Sequence, residues 1–202
     1  MRYLLSGLLT AGLVMLAAPA AASSGATSDA SGAAVTASDS AVNGTAGLLN
    51  HELRRLHSSE MVDLQERLGG APLLLVNTAS RCGFTRQFEG LEAVHQRYGE
   101  RGLRVAGFSS NDFNQEIDEE GAAEVCFVNF GVTFDMFAPI AVRGPDAHPL
   151  FAELARQSEA PRWNFTKYLV NADGEVVERF GSSTRPDSRR MRGAIEALLA
   201  DH

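Results

Sequence analysis

The amino-acid sequence predicts a small three-layer α/β domain, a central mixed β-sheet flanked by helices. Three observations lead there. A strand, a helix and a second strand follow one another within about 36 residues in the middle of the chain. Turn chemistry near the end of the chain joins two further apolar strands. An amphipathic helix then closes the sequence.

Residues 73–77 form a short apolar run after Gly69, Gly70 and Pro72, the pattern of a strand buried on both faces. From Phe84 onward, Phe88, Leu91, Val94 and Tyr98 recur at helical spacing until Gly102 stops the helix. Residues 103–108 make the next strand, and a crossover of this kind sets the two strands parallel. Residues 118–130 are read as a helix, as are 148–157 after Gly144 and Pro145. Strands at 165–170 and 176–180 flank Asn171, Ala172, Asp173 and Gly174, a sequence suited to an antiparallel hairpin. Residues 188–199 form the last helix, with Met191, Ile195, Leu198 and Leu199 on one side. Arg189, Arg190 and Arg192 read as its solvated face.

Residues 1–22 have the layout of a secretory signal peptide. Arg2 supplies a positive charge, residues 4–18 are almost wholly apolar, and Ala20, Ala21 and Ala22 are the small residues that a signal peptidase needs. That apolar run falls short of the roughly 20 residues that span a bilayer, so no stable membrane insertion is expected after cleavage. Residues 23–46 are rich in Ser, Ala, Gly and Thr and read as a flexible linker, which leaves 47–202 as the folded domain. The expected location is therefore exported, in the periplasm or another extracytoplasmic space. A net charge of −7 argues against a nucleic-acid partner, because phosphate contacts need clustered Lys and Arg.

The chemistry lies where the first strand of the βαβ unit meets its helix. Cys82 stands there, just ahead of the helix N-terminus, with Arg81 beside it. Unpaired backbone N–H groups and the helix dipole favour an anion at such a place, and a thiolate is the species that attacks a peroxide. Small and polar neighbours weigh against a merely structural buried cysteine. The carboxyl ends of strands are also where ligand sites of α/β sheets lie. Cys126 follows 44 positions later in the helix at 118–130. Two cysteines in an exported protein fit a structural disulfide, and they fit equally a resolving thiol that condenses with a Cys82 sulfenic acid. Neither a metal site nor a cofactor is expected, since no clustered His completes a shell with cysteines so far apart.

Several separated motifs resemble the glutathione peroxidase family over roughly residues 47–202. They are LLVNTASRCGFT at 74–85, GVTFDMF at 131–137, Gly144-Pro145 with His148-Pro149-Leu150, and Trp163-Asn164-Phe165-Thr166-Lys167. The resemblance implies a thioredoxin-like fold and a peroxidase that reduces hydrogen peroxide or organic hydroperoxides, in defence against oxidative stress. The family's active-site cysteine or selenocysteine falls on Cys82, and its Trp and Asn fall on Trp163 and Asn164. Both of the latter can donate hydrogen bonds to a thiolate or to the departing oxygen.

The chain departs from the family pattern at Asp112, which stands where the family has a catalytic Gln. An ionised Asp donates no hydrogen bond and opposes a nearby thiolate. Three outcomes are open: a protonated side chain, one turned away from the site, or one that accepts the thiol proton. The loop after it, through Gln115 and Glu116, lacks the usual Pro-Gly and is shorter.

Cys126 matches the resolving cysteine of thioredoxin-dependent members, and the short stretch between Pro149 and Trp163 resembles monomeric ones. The implied partners are a peroxide and a thioredoxin-like dithiol, with glutathione the weaker candidate. A dithiol-exchange protein is disfavoured because Thr85 stands where a second thiol would be. The competing expectation is an exported thioredoxin-fold module with Cys82 and Cys126 joined in a structural disulfide and little activity.

Overall fold

The computed structural model describes residues 44–202. The expected signal peptide and all but the last three residues of the expected linker lie outside the described residues. Those three open helix α1 (Gly44–Leu49), the first of the described elements. At the other end of that helix Leu48 and Leu49 are fully buried.

A small antiparallel pair, β1 (Glu52–Arg54) and β2 (Met61–Asp63), comes next. Helix α2 (Leu64–Leu68) follows, with the Asp63 side chain capping its first turn by accepting the Glu66 N–H. The expected βαβ unit is present as β3 (Leu73–Thr78), α3 (Gln87–Tyr98) and β4 (Arg104–Ser109), with β3 and β4 parallel. Helix α4 (Glu119–Ala123), β5 (Asp135–Phe137), α5 (Pro149–Gln157), β6 (Lys167–Val170), β7 (Val176–Phe180) and α6 (Arg189–Ala200) complete the order. The central sheet runs β5-β4-β3-β6-β7. It is mixed, because β6 is antiparallel to both β3 and β7.

Alternation along β3 builds the three layers. Leu74 and Val76 face a cluster with Phe88, Leu91, Val94 and Tyr98 of α3 and with Met191 and Ile195 of α6. Leu73 and Leu75 face the opposite cluster, with Leu64 and Leu68 of α2 and Leu150, Phe151 and Leu154 of α5. Full burial of such side chains contributes about 1.5–3 kcal/mol each, which makes these two stripes the main stabilising feature. The hairpin at Asn171 also forms as expected: the Asn171 N–H reaches the Glu175 carbonyl at 2.9 Å, and Gly174 takes a φ of 86°.

Three elements differ from the expectation. Helix α3 begins at Gln87, because residues 82–86 first coil through short turns, Thr85 N–H to Cys82 O at 3.0 Å and Gln87 N–H to Phe84 O at 2.8 Å. The helix expected over 118–130 changes character after Ala123, and Glu124–Asn129 is π-helical. Its wider turn is fixed by the Phe130 N–H, which bonds to Val125 O five residues back at 3.2 Å. The strand expected from 165 starts only at Lys167. Phe165 has a φ of 60°, and the Thr166 N–H turns to the side chain of Asn77.

Candidate active site

Cys82 lies four residues beyond the carboxyl end of β3. Its turn is closed by the Thr85 hydroxyl, which accepts the Cys82 N–H at 3.1 Å. The same hydroxyl has its donor within reach of Cys82 O at 2.7 Å and Ala79 O at 3.0 Å. Thr85, at the place a second thiol would occupy, thus shapes the cysteine loop. Cys82 is buried, with 8% of its surface exposed.

Cys126 sits in the π-helical segment and is buried in the same apolar cluster as Cys82. Both are free thiols. Burial pushes the Cys126 thiol up to about 12, and the charge of Glu116 adds to the shift. A thiol in that condition is protonated at neutral pH and is a poor nucleophile where it stands.

Trp163 and Asn164 occupy the loop that leads into β6, the strand beside β3. Asn164 is fully buried, and its Nδ2 has no hydrogen-bond partner. An unpaired buried donor costs about 1–3 kcal/mol and calls for an explanation, commonly a functional one. Trp163 keeps 40% of its surface exposed and rests on Phe113, with ring centroids 5.1 Å apart. The Arg143 guanidinium covers the Phe113 ring at 4.4 Å, so Phe113 meets both the cation and the tilted indole.

Asn77, on β3 and fully buried, ties this loop to the strand that carries Cys82. Its Nδ2 donates to Trp163 O at 3.3 Å and, more weakly, to Asn164 Oδ1 at 3.5 Å. Its Oδ1 accepts the Thr166 N–H at 3.1 Å, and its backbone carbonyl accepts the Phe165 N–H at 2.7 Å. Phe165 pays for the tight turn with a left-handed backbone, a cost of about 1–2 kcal/mol for a residue with a Cβ. Its ring packs edge-on to Phe88 of α3 at 5.3 Å.

Asp112 takes up the second of the three geometries. Its Oδ2 accepts the backbone N–H groups of Val142 at 2.6 Å and Arg143 at 3.2 Å, so the carboxylate is turned toward that loop. Sequence reasoning missed another acid, Glu116. Its carboxylate accepts the Ser80 N–H at 3.0 Å and the Ser109 hydroxyl at 2.7 Å, which joins the cysteine loop to the end of β4. Its place within the shortened loop was the only signal, and the two partners that join the cysteine loop to β4 lie 36 and 7 residues away.

Lys167 is a second residue whose role was not read. It is fully buried, and its ammonium donates to Gln87 Oε1, to Thr184 O at 2.8 Å and to Ser182 O at 3.5 Å. Gln87 is the first residue of α3, so this cation fastens the helix that follows Cys82 to the loop after β7. A cleft of about 640 Å³ runs beside that junction, lined by Gly83, Phe84, Arg86, Gln87, Ser183 and Arg185. Among the described residues, no group of three or more His, Cys, Asp or Glu side chains is placed to hold a metal ion.

Residues 50–155 match the family model described as glutathione peroxidase. The chain is 44% identical over 144 residues to the hydroperoxy fatty acid reductase gpx1 of Synechocystis sp., covering 64% of this chain and 83% of that protein. It is similar to the crystal structure of Trgpx in apo form, with a TM-score of 0.60 and 31% identity over 76% of this chain and 96% of that one. A secreted Mycobacterium tuberculosis disulfide oxidoreductase matches with a TM-score of 0.54 at 18% identity, over 75% of this chain and 98% of that one. That last likeness concerns the fold alone. Together with the sheet order, these matches bear out the thioredoxin-like fold expected from the motifs.

Proposed function

This chain belongs to the glutathione peroxidase family and is a thiol peroxidase, and from that premise we propose that Cys82 is the sulfur that meets the peroxide. The Cys82 thiolate attacks one peroxide oxygen, an S–O bond forms and the O–O bond breaks. Cys82 becomes a sulfenic acid, and the departing oxygen takes up a proton to leave as water or an alcohol. The observation that carries this reading is the unpaired, buried Nδ2 of Asn164 in the loop that leads into β6, the strand next to β3. A fixed donor of that kind stabilises charge that develops on the leaving oxygen. Trp163, with its indole N–H, is the second donor in this reading. Asp112 has no direct part in it, because its carboxylate is held by Val142 and Arg143.

Cys126 then resolves the intermediate. Its sulfur attacks the Cys82 sulfur, an S–S bond forms and the hydroxyl leaves as water. With its pKa pushed up to about 12, Cys126 cannot act from its buried position, so the π-helical segment must open first. The irregular backbone hydrogen bonding of Glu124–Asn129 makes that opening cheaper than in a regular helix. An external dithiol of the thioredoxin type reduces the disulfide and regenerates both thiols. Residues 1–22 support export, which makes the reductant a dithiol of an extracytoplasmic space and the role a defence against peroxide there. A single chain suffices for this cycle, in keeping with a monomer.

Stopped-flow oxidation of the reduced protein by hydrogen peroxide and by an organic hydroperoxide tests the reading. The parent and Cys126→Ser should react fast and stoichiometrically, with trappable sulfenic acid at Cys82, and Cys82→Ser should be inert. Oxidation of the parent no faster than that of a free thiol sinks it.

A further inference from the structure

We propose that Asn77 is a positioning residue of the peroxidase site, one that sets the orientation of the Asn164 carboxamide and the path of the 163–166 turn. The proposal rests on the thiol peroxidase reading above. One side chain and its own carbonyl meet four consecutive residues: Trp163 through its carbonyl, Asn164 through Oδ1, Phe165 through its N–H and Thr166 through its N–H. No other hydrogen-bonding pattern in the described site engages Trp163 and Asn164 together.

The chemistry of a carboxamide makes this arrangement directional. An Asn presents an oxygen acceptor on one side and an NH₂ donor on the other, and a flip exchanges them. Asn77 Nδ2 carries hydrogens only, so the atom of Asn164 that faces it must be the oxygen. The Asn164 Nδ2 is thereby turned the other way, and it is this nitrogen that lies buried without a partner. Were Asn164 flipped, two NH₂ groups would face each other, and the site would receive an acceptor where the leaving oxygen needs a donor. Asn77 also holds the Trp163 carbonyl and, through the Phe165 N–H, supports the left-handed residue that makes the turn possible. The same strand runs on from Asn77 to the Cys82 loop, so one residue places the donors relative to the sulfur.

The donor at Asn164 is thus imposed from β3, and the resting protein holds it ready before any peroxide arrives. Fixed donors of this sort cost no reorganisation at the moment of reaction.

A double-mutant cycle in the full chain tests it, with Asn77→Asp and Asn164→Ala read by the rate constant for Cys82 oxidation. Asn77→Asp keeps an acceptor for the Thr166 N–H, removes the donor toward Trp163 and Asn164 and adds a carboxylate, whose charge effect is independent of Asn164 and is separated from the lost donor by the cycle. It should slow oxidation about tenfold or more, and combining it with Asn164→Ala should slow the reaction little further. Asn77→Asp within about twofold of the parent, or effects of the two variants that multiply, would overturn the proposal. If Asn77→Asp does not fold, NMR of the unaltered protein decides. Asn77 Nδ2 protons close to Trp163, with Asn164 Nδ2 protons remote from Asn77 and shifting when Cys82 is oxidised, are the expected result. Asn164 Nδ2 protons lying against the Asn77 side chain overturn it. An inert parent would fail the peroxidase reading alone, because the amide orientation is read without turnover.

Discussion

The carboxylate of Asp112 accepts the N–H of Val142 at 2.6 Å, across 30 residues of sequence, and so holds the loop that carries Arg143 over Phe113, the ring on which Trp163 rests. Val142 is fully buried, and its N–H depends on that oxygen. Asp112→Ala should therefore lower stability by about 1–3 kcal/mol in denaturant titration, the cost of an unpaired buried donor. Asp112→Asn keeps an acceptor and should cost less than about 1 kcal/mol. Asp112→Gln, the family residue, should leave the peroxide rate constant within about twofold of the parent, because this side chain serves the loop and not the sulfur. A large gain in rate would place position 112 back in the chemistry.

Cys126 offers a prediction with two independent readings. Cys126→Ser should leave the first oxidation step intact and abolish turnover with a dithiol, so that sulfenic acid accumulates at Cys82 and is captured by mass spectrometry of a trapped adduct. The second reading is thermodynamic. Burial holds this thiol near 12 against an ordinary 9.0, so the native state keeps a proton that the unfolded chain has lost between those values. The resulting stability is fully present below about pH 9 and is lost as pH rises toward 12. The parent should fall in stability relative to Cys126→Ser across that window. Parallel curves would mean that the native thiol is solvated.

How far the sequence speaks depends on whether a feature is local. The β3, α3 and β4 unit was legible because Leu74, Val76, Phe88, Leu91, Val94 and Tyr98 report burial through spacing alone. The three-residue strands β1, β2 and β5 carry too few positions for a period to show. The π-helical turn around Cys126 has an ordinary helical pattern of side chains, and only its hydrogen bonds differ. Cys82, Trp163 and Asn164 were visible through motifs. Asn77 sat inside one of those motifs without a stated role, because its side-chain partners lie 86 to 89 residues away. The orientation of Asp112 is likewise decided by a backbone N–H that no local pattern encodes.

His148 caps α5 by accepting the Leu150 N–H on Nδ1 at 3.2 Å, and its ring meets His51 edge-on at 5.0 Å. An Nδ1 that accepts a hydrogen bond cannot also carry a proton. Burial first, and then the charge of His51, pushes its pKa below the ordinary 6.5. Below pH 6.5 the unfolded chain therefore binds a proton that the native state refuses, and stability falls as pH drops toward the native value. His148→Asn retains a capping oxygen without titrating. It should lose less stability than the parent between pH 6.5 and 5 in thermal melts, and equal losses would show that another group dominates.

Lys167 presents the opposite balance between burial and hydrogen bonding. Burial alone pushes the ammonium down to about 7 from an ordinary 10.5. Its three acceptors, Gln87 Oε1, Thr184 O and Ser182 O, match the three donors of a protonated amine and favour the charged form. Burial prevails, and the native pKa stays at about 7, below the ordinary 10.5. In that interval the unfolded chain holds a proton that the native state has released, so stability rises with pH. Lys167→Met removes this rise and leaves the Thr184 and Ser182 carbonyls without their donor. The variant should be less stable by about 1–3 kcal/mol per unpaired carbonyl, and the gap should widen as pH rises toward 10.5. Because Gln87 opens the helix that follows Cys82, the variant should also loosen the cysteine loop, read as faster hydrogen exchange at Thr85 and Phe88. A gap that stays constant with pH, with exchange unchanged at both residues, would show that the ammonium never releases its proton and that α3 is anchored without it.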